Sequence, residues 1–446
     1  MKIKIHCWER IRIETIEFIS LLIWILFYTV AVNRLLPETY NIWATPIAYY
    51  GKDFSYLRFL VSVLVIAASF IITKRLRTQN IVLYYIKNIL FVVFYVPAVL
   101  SFALLHYYYS EQFLIYCILY WFMFCCFSQC LSFNIKRCRL KTGKSISGID
   151  LWLVFTTLLV IYVVCQNGGV NLSLSVLSGV YEQRAAYKEN ATLLSVVIKS
   201  VLGYFVCPIM VAANLDKRKI AKAVVFVFFQ IIVFSLARDK VYLMILAVAI
   251  IIGVASWVID VERVENLGII VFNGLSILCF MALNGVFEDI LFSAIVRRLF
   301  LMPVWLQYIN FHYFYNLEKI WWRQDTFLID KLFTPVYERS LVKIIAQDWF
   351  DADFNPNCGM VAEAFTRCGF LGIIIYPVLL VTLLTAINSC VKDENNIVIL
   401  ILCIALGLII SNDVISSTTF VLMMIFICCS FKLLKVPDKQ GRSGIG

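Results

Sequence analysis

Four arginines stand at the few polar breaks of a chain of 446 residues, 62% of them hydrophobic. Arg184 sits in VYEQRAAYKEN, Arg238 in a short Arg-Asp-Lys tip, and Arg297 and Arg298 open the stretch RRLFLMPVWLQYINFHYFY. A guanidinium stays charged and presents a planar fork that suits a bidentate grip on phosphate. Several of them on one face of a membrane protein would suit a pyrophosphate at the interface. Each also has an ordinary reading, as a helix-end anchor or one half of an ion pair, and Arg238 beside Asp239 reads equally well as a plain tip. Arg298 would point about 100° away from Arg297 on a helix, so both need not serve one ligand.

A carboxylate completes the set. In FNPNCGMVAEAFTRCGFLG, residues 354–372, the Asn-Pro-Asn turn leads into a short helix that carries Glu363 and Arg367 at i,i+4. Their plain role is a local ion pair. Their sharper role is a base held at the membrane surface with an arginine to keep it ionised. Tyr313 and Tyr315, with Trp305, Tyr308, Trp321 and Trp322, either stack on sugar faces or belong to the aromatic belt found at any membrane interface. Pro303 is expected to kink this stretch. Lys199 falls well inside an apolar run, where it snorkels or faces a polar cavity, and Lys87 snorkels toward a nearer end. His106 and His312 have no second ligand at metal spacing, and no paired carboxylates suggest a catalytic metal or other cofactor. Most of the fifteen cysteines, Cys117, Cys125, Cys126, Cys279 and Cys428 among them, lie in apolar runs and read as small hydrophobes.

The elements that must position these residues are apolar helices. Only 15% of residues are charged, against about 25% in soluble domains. The class is therefore all-α: a polytopic helical membrane protein with about twelve transmembrane helices, one domain over 1–446, and one long outer loop over 285–368. The spans are expected near 14–36, 56–73, 81–105, 113–133, 149–166, 191–214, 220–237, 241–259, 267–284, 370–388, 397–410 and 414–431. The first follows a basic N-terminal stretch and reads as an uncleaved span. No internal repeat is evident. The net charge of +11 reads as the positive-inside rule and not as nucleic-acid binding, because the basic breaks at the N-terminus, 74–77, 136–144, 217–222 and the C-terminus share one parity. That face is cytoplasmic. The loop 167–190, the 238–240 tip and the long loop then face outward. The long loop holds eight Lys/Arg and ten Asp/Glu, a mixture that hydrocarbon excludes.

With an Arg before the sixth span, the RDK tip, RRLFLMP with its aromatic run, and NPNCGMVAEAFTRCGFLG, the chain resembles the O-antigen or oligosaccharide repeat-unit polymerases, the Wzy family. The resemblance implies a glycosyltransferase of the bacterial cytoplasmic (inner) membrane. Such an enzyme polymerises undecaprenyl-pyrophosphate-linked oligosaccharide repeat units into O-antigen, capsular or exopolysaccharide chains on the outer face. Its partners would be that lipid-linked oligosaccharide, membrane lipid, a chain-length regulator and a flippase. It further implies that Arg184 and Arg297 steady the pyrophosphate, that Glu363 takes the acceptor proton, and that Arg238, Arg298, Tyr313, Tyr315 and Arg367 bind substrate. An O-antigen ligase-like transferase and a lipid-linked oligosaccharide flippase or transporter are the alternatives.

Overall fold

A computed structural model describes residues 2–39, 54–104, 109–131, 151–169, 187, 191–258, 267–327, 329–350 and 358–433. Arg184, His106, Asp351, Asp353 and the Asn-Pro-Asn turn at 355–357 lie outside these residues. All regular structure among the described residues is helical. In chain order the helices are α1 (Lys2–Thr39), α2 (Tyr56–Arg75), α3 (Ile81–Leu104), α4 (Glu111–Cys130), α5 (Leu151–Gln166), α6 (Leu193–Asp216), α7 (Ile220–Ala237), α8 (Lys240–Ala255), α9 (Leu267–Leu283), α10 (289–313), α11 (Leu341–Phe350), α12 (Gly359–Cys368), α13 (Gly372–Val391), α14 (Asn396–Asn412) and α15 (Thr418–Leu433).

Every span expected from the sequence coincides with a helix. Six helical stretches are long and apolar enough to cross a membrane, the stretch from Gly359 to Val391 (α12 and α13) among them, and six more apolar helices are shorter. The chain is a multi-pass helical membrane protein. Small polar residues decide where helices begin. The side chains of Ser55, Asn80, Ser110, Thr192 and Asn395 each accept a hydrogen bond from a first-turn N–H, at 3.0–3.4 Å, which satisfies a donor the helix cannot.

Contacts sort the helices between two ends. At one end Lys74 pairs with Glu17, Arg77 with Glu14, and Asn395 donates to Asp216. At the other, Lys199 pairs with Asp239, Gln307 donates to the Ser411 carbonyl, and Glu363 meets Ile415 and Ser416. The basic breaks at 74–77 and 217–219 sit at the first end. The residues of chemical interest sit at the second. Cysteines placed at the exposed positions Asn316 and Lys219, in a background lacking the exposed native cysteines, should therefore differ in intact cells. A membrane-impermeant thiol reagent is expected to label Asn316→Cys and spare Lys219→Cys. Equal labelling would break the two-ended arrangement. Cys358 is unsuited to this test because it is buried.

Two helices form the centre of the bundle, and they are related. Both α3 and α6 are 24 residues long and mostly buried. Each carries Ile-Lys at its sixth and seventh positions (Ile86-Lys87, Ile198-Lys199) and a leucine three residues after the lysine. Each then has a π-helical turn (Phe91–Tyr95, Leu202–Val206) and a proline (Pro97, Pro208). They pack on α14 in opposite directions. Cys403 and Gly407 of α14 lie beside Val82 and Ile89 of α3 in the same order along both chains, whereas the start of α14 meets the end of α6 through Asn395 and Asp216. Each lysine ammonium reaches across to another element: Lys87 donates to the Leu76 carbonyl at the end of α2, 2.5 Å, and Lys199 to the carboxylate of Asp239 at the start of α8, 2.9 Å. The two helices thus run in opposite directions with the same order of lysine, π-helical turn and proline, the lysine-to-proline spacing differing by one residue.

The stretch 285–368 is less of a loop than its charge suggests. Residues 289–313 form one continuous helix, α10, π-helical over Asp289–Leu301 and α-helical over Met302–Tyr313. Phe292, Val296, Phe300, Val304 and Tyr308 make a buried stripe at every fourth residue. Phe300 packs against Trp24 and Tyr28 midway along α1, and Phe311 against Phe113 and Tyr116 of α4. So α10 threads through the bundle. Pro303 stands where the π-helical half gives way to the α-helical half, consistent with a residue that has no N–H to donate. Only 314–340 and α11 cover the second end as a surface layer. At the other side of this layer, α12 folds back on α13. The turn is Gly369, whose φ of 58° and ψ of −137° suit glycine alone, and Gly372 then passes so close to the Ala364 carbonyl that a Cβ would stand 2.3 Å from it.

Candidate functional site

Glu363 lies far along the chain from the end of α10, and packing of α12 on α10, α13 and α14 fixes it. Its carboxylate is 2% exposed and that of its partner, the Arg367 guanidinium, fully buried. Glu363 Oε1 accepts from Arg367 Nε (3.2 Å), Tyr376 Oη (3.2 Å), Ser416 N (3.1 Å) and Ser416 Oγ (2.5 Å), and Oε2 accepts from Ile415 N (2.7 Å). Arg367 donates onward to the carbonyls of Gln324 and Asp325 and to Thr326 Oγ1, at 2.6–3.0 Å. The sequence expects a surface pair or a surface base. The structure places instead a buried clasp, in which α12 ties the 413–417 loop on one side to the 320–327 segment on the other. Five donors fill the lone pairs of one carboxylate, leaving it no room for a substrate hydroxyl.

The clasped loop begins with Asp413. This residue closes α14 through its N–H to the Ile409 carbonyl, 2.7 Å, and remains partly exposed. Among the described residues no hydrogen bond or ion pair reaches its carboxylate. Burial, and after it the nearby Asp239 carboxylate, push its carboxyl up to about 7 from an ordinary value near 4. Asp239 belongs to the Arg238-Asp239-Lys240 tip and pairs with Lys199. The Lys199 ammonium pairs with Asp239 and lies 4.5 Å over the ring of Tyr187 and 5.7 Å over that of Tyr242. Arg238 is buried at the tip with a left-handed backbone, φ 51°. Lys199 thus faces a polar cluster and does not snorkel. Asp413 was not singled out from the sequence. The available signal was a lone acid between two apolar runs that are both short for crossing a bilayer.

The other expected site residues are dispersed. Arg297 is half-buried on the π-helical half of α10, beside α1 and α9. It stands about 20 Å along that helix from Phe311, the residue that packs on α12. Arg298 is exposed. Tyr313 donates to Asp348 at 2.6 Å, and Arg339 reaches the same carboxylate at 3.4 Å. Tyr315 stacks on Phe365, over whose ring the Lys319 ammonium lies at 4.4 Å. Lys319 also donates to the carbonyls of Phe314, Tyr315 and Leu317 and so caps α10. Trp305, Tyr308 and Phe311 are buried in the bundle, so this part of the aromatic run is core and not an interfacial belt. Lys199, Asp239 and Asp413 by contrast group at one helix end, next to Arg238. No group of three or more His, Cys, Asp and Glu able to hold a metal occurs among the described residues. Neither a family model, nor a curated protein, nor a solved structure matches this chain.

Proposed function

We propose that the protein is a bacterial inner-membrane glycosyltransferase that polymerises undecaprenyl-pyrophosphate-linked repeat units on the outer face of a twelve-span bundle. The observation that carries this reading is the gathering of ionisable groups at one end of the helices, opposite the basic breaks. A lipid-linked substrate holds its reactive bond at about the depth of the headgroups, and Arg238, Lys199 and Asp413 stand at a helix end of that kind. Arg184, three residues before Tyr187 in the sequence, and Arg297 are assigned to the pyrophosphate and its flanking sugars. The chemistry asked of them is stabilisation of charge developing on the leaving group, where a fixed cation is worth most.

The test is chain length. Arg184→Ala or Arg297→Ala should leave single repeat units at the cell surface while long chains disappear, and Lys at either position should rescue poorly because an ammonium lacks the planar fork. Normal chain lengths from a well-expressed Arg184→Ala would return that residue to a structural role. A second reading, a lipid-linked oligosaccharide flippase or transporter, is favoured by α3 and α6, two buried antiparallel helices each interrupted by a π-helical turn and a proline, since interrupted helices suit alternating access. Delivery of single units to the surface separates the two, because its loss in a deletion strain supports the transporter.

A further inference from the structure

We propose that Asp413 is the catalytic base of this protein and that Glu363 is a positioning residue that holds the Asp413 loop. This rests on the glycosyl-transfer reading above. The two carboxylates are linked through the 413–417 loop, which Glu363 holds at Ile415 and Ser416, yet their surroundings are opposite. Glu363 is consumed by five donors, two of them the N–H groups of Ile415 and Ser416, so it fixes the loop two and three residues beyond Asp413. Asp413 accepts no hydrogen bond among the described residues and keeps an exposed side. Among the described residues the charged group that acts on it is Asp239 of the α7–α8 tip, which pairs in turn with Lys199 of α6, and Tyr187 and Tyr242 stand against that lysine. Lys199 is engaged by Asp239, so it is not paired with Asp413.

The step balances without a further reagent. The acceptor hydroxyl oxygen bonds to the anomeric carbon of the donor sugar while the bond from that carbon to the pyrophosphate oxygen breaks. The electron pair leaves with the lipid pyrophosphate, beside Arg238. The hydroxyl proton passes to the Asp413 carboxylate and then to water on its open side. A carboxyl that titrates near neutral pH is matched to this task, and perturbed acids of this kind gather at functional sites.

The test uses purified full-length protein in lipid nanodiscs and undecaprenyl-pyrophosphate-linked repeat units extracted from cells lacking it. Asp413→Asn is expected to lower turnover at least about 100-fold with binding of the units unchanged. In the wild type, turnover should rise with pH through about 7, because the base acts ionised, and Asp239→Asn should move that rise to lower pH by removing the repulsion. Folding gives an independent readout. The native carboxyl holds its proton more tightly than the unfolded one, so ionisation costs stability as pH rises from about 4 to 7. Asp413→Asn should therefore melt no lower than wild type at pH 8. Turnover of Asp413→Asn within threefold of wild type overturns the assignment, and so does a loss of turnover accompanied by a lowered melting temperature. Wild-type protein that binds the units but makes no polymer overturns the glycosyl-transfer reading, and the assignment with it.

Discussion

Arg367→Ala is expected to destabilise the protein by about 3–5 kcal/mol, the cost of leaving a buried charge without its partner. The magnitude follows from burial. With Arg367 gone, Glu363 loses its counter-ion, and the carbonyls of Gln324 and Asp325 and the Thr326 hydroxyl each lose a donor. A cavity of guanidinium size remains between α12 and the surface layer. Glu363→Gln is expected to be milder, about 1–3 kcal/mol, the cost of one buried donor left unmet. All five groups around the carboxylate are donors in this arrangement, so whichever way the amide is turned its NH2 meets an N–H or O–H. Replacing both partners, as Glu363→Leu with Arg367→Met, should recover much of the loss, because removing a buried pair together is often close to neutral. Melting in detergent with a dispersity check reads all three. An Arg367→Ala protein that melts with the wild type would show that the pair is solvated. A Glu363→Gln protein that melts normally but has lost polymerisation would restore Glu363 as the base.

That pair shows how far the sequence carries. The i,i+4 spacing of Glu363 and Arg367 is visible in the sequence and gives the ion pair correctly. Its burial is not visible, because the groups that enclose it come from residues 324–326, 376 and 415–416 and meet only in three dimensions. The apolar spans were legible for the opposite reason. A run of about 20 apolar residues declares itself locally, and each expected span has a helix. The segment 289–313 fell between the two cases. Its charged residues at 288–289 and 297–298 argue for an aqueous loop, while its apolar stripe recurs every fourth residue, at Phe292, Val296, Phe300, Val304 and Tyr308. That i,i+4 row is compatible with a helix, and the charges beside it point the other way. Asp413 was hidden by its simplicity. A single acid between two apolar runs looks like a hairpin tip until Asp239, remote in sequence and paired with Lys199, is seen beside it.

Gly359→Ala should be the most damaging single-methyl change, at about 2–5 kcal/mol. Two independent terms add. The backbone here has φ 67°, a left-handed conformation that costs any residue with a Cβ about 1–2 kcal/mol. The added carbon would also stand 2.3 Å from Gln307 Nε2 and 2.6 Å from the Ser411 carbonyl, and overpacking of this kind costs about 1–3 kcal/mol. Neither neighbour can give way easily. The Ser411 carbonyl is backbone, and the buried Gln307 amide is held at both ends, donating to that carbonyl at 2.9 Å and accepting from Val361 N at 3.1 Å. Relief would have to move the start of α12, the end of α14 or the middle of α10, the three elements that meet there. Because α14 runs directly into Asp413 and α12 carries Glu363, strain at Gly359 is expected to reach the site, so residual folded protein should also turn over slowly. Gly274→Ala in α9 is the matched control. A Cβ there meets nothing within 4 Å, and alanine in a helix interior is favoured over glycine by about 0.5–1 kcal/mol, so that variant should melt at or slightly above wild type. Equal melting of the two variants would mean that α12 does not begin against Gln307 and Ser411, and the placement of Glu363 on the Asp413 loop would fall with it.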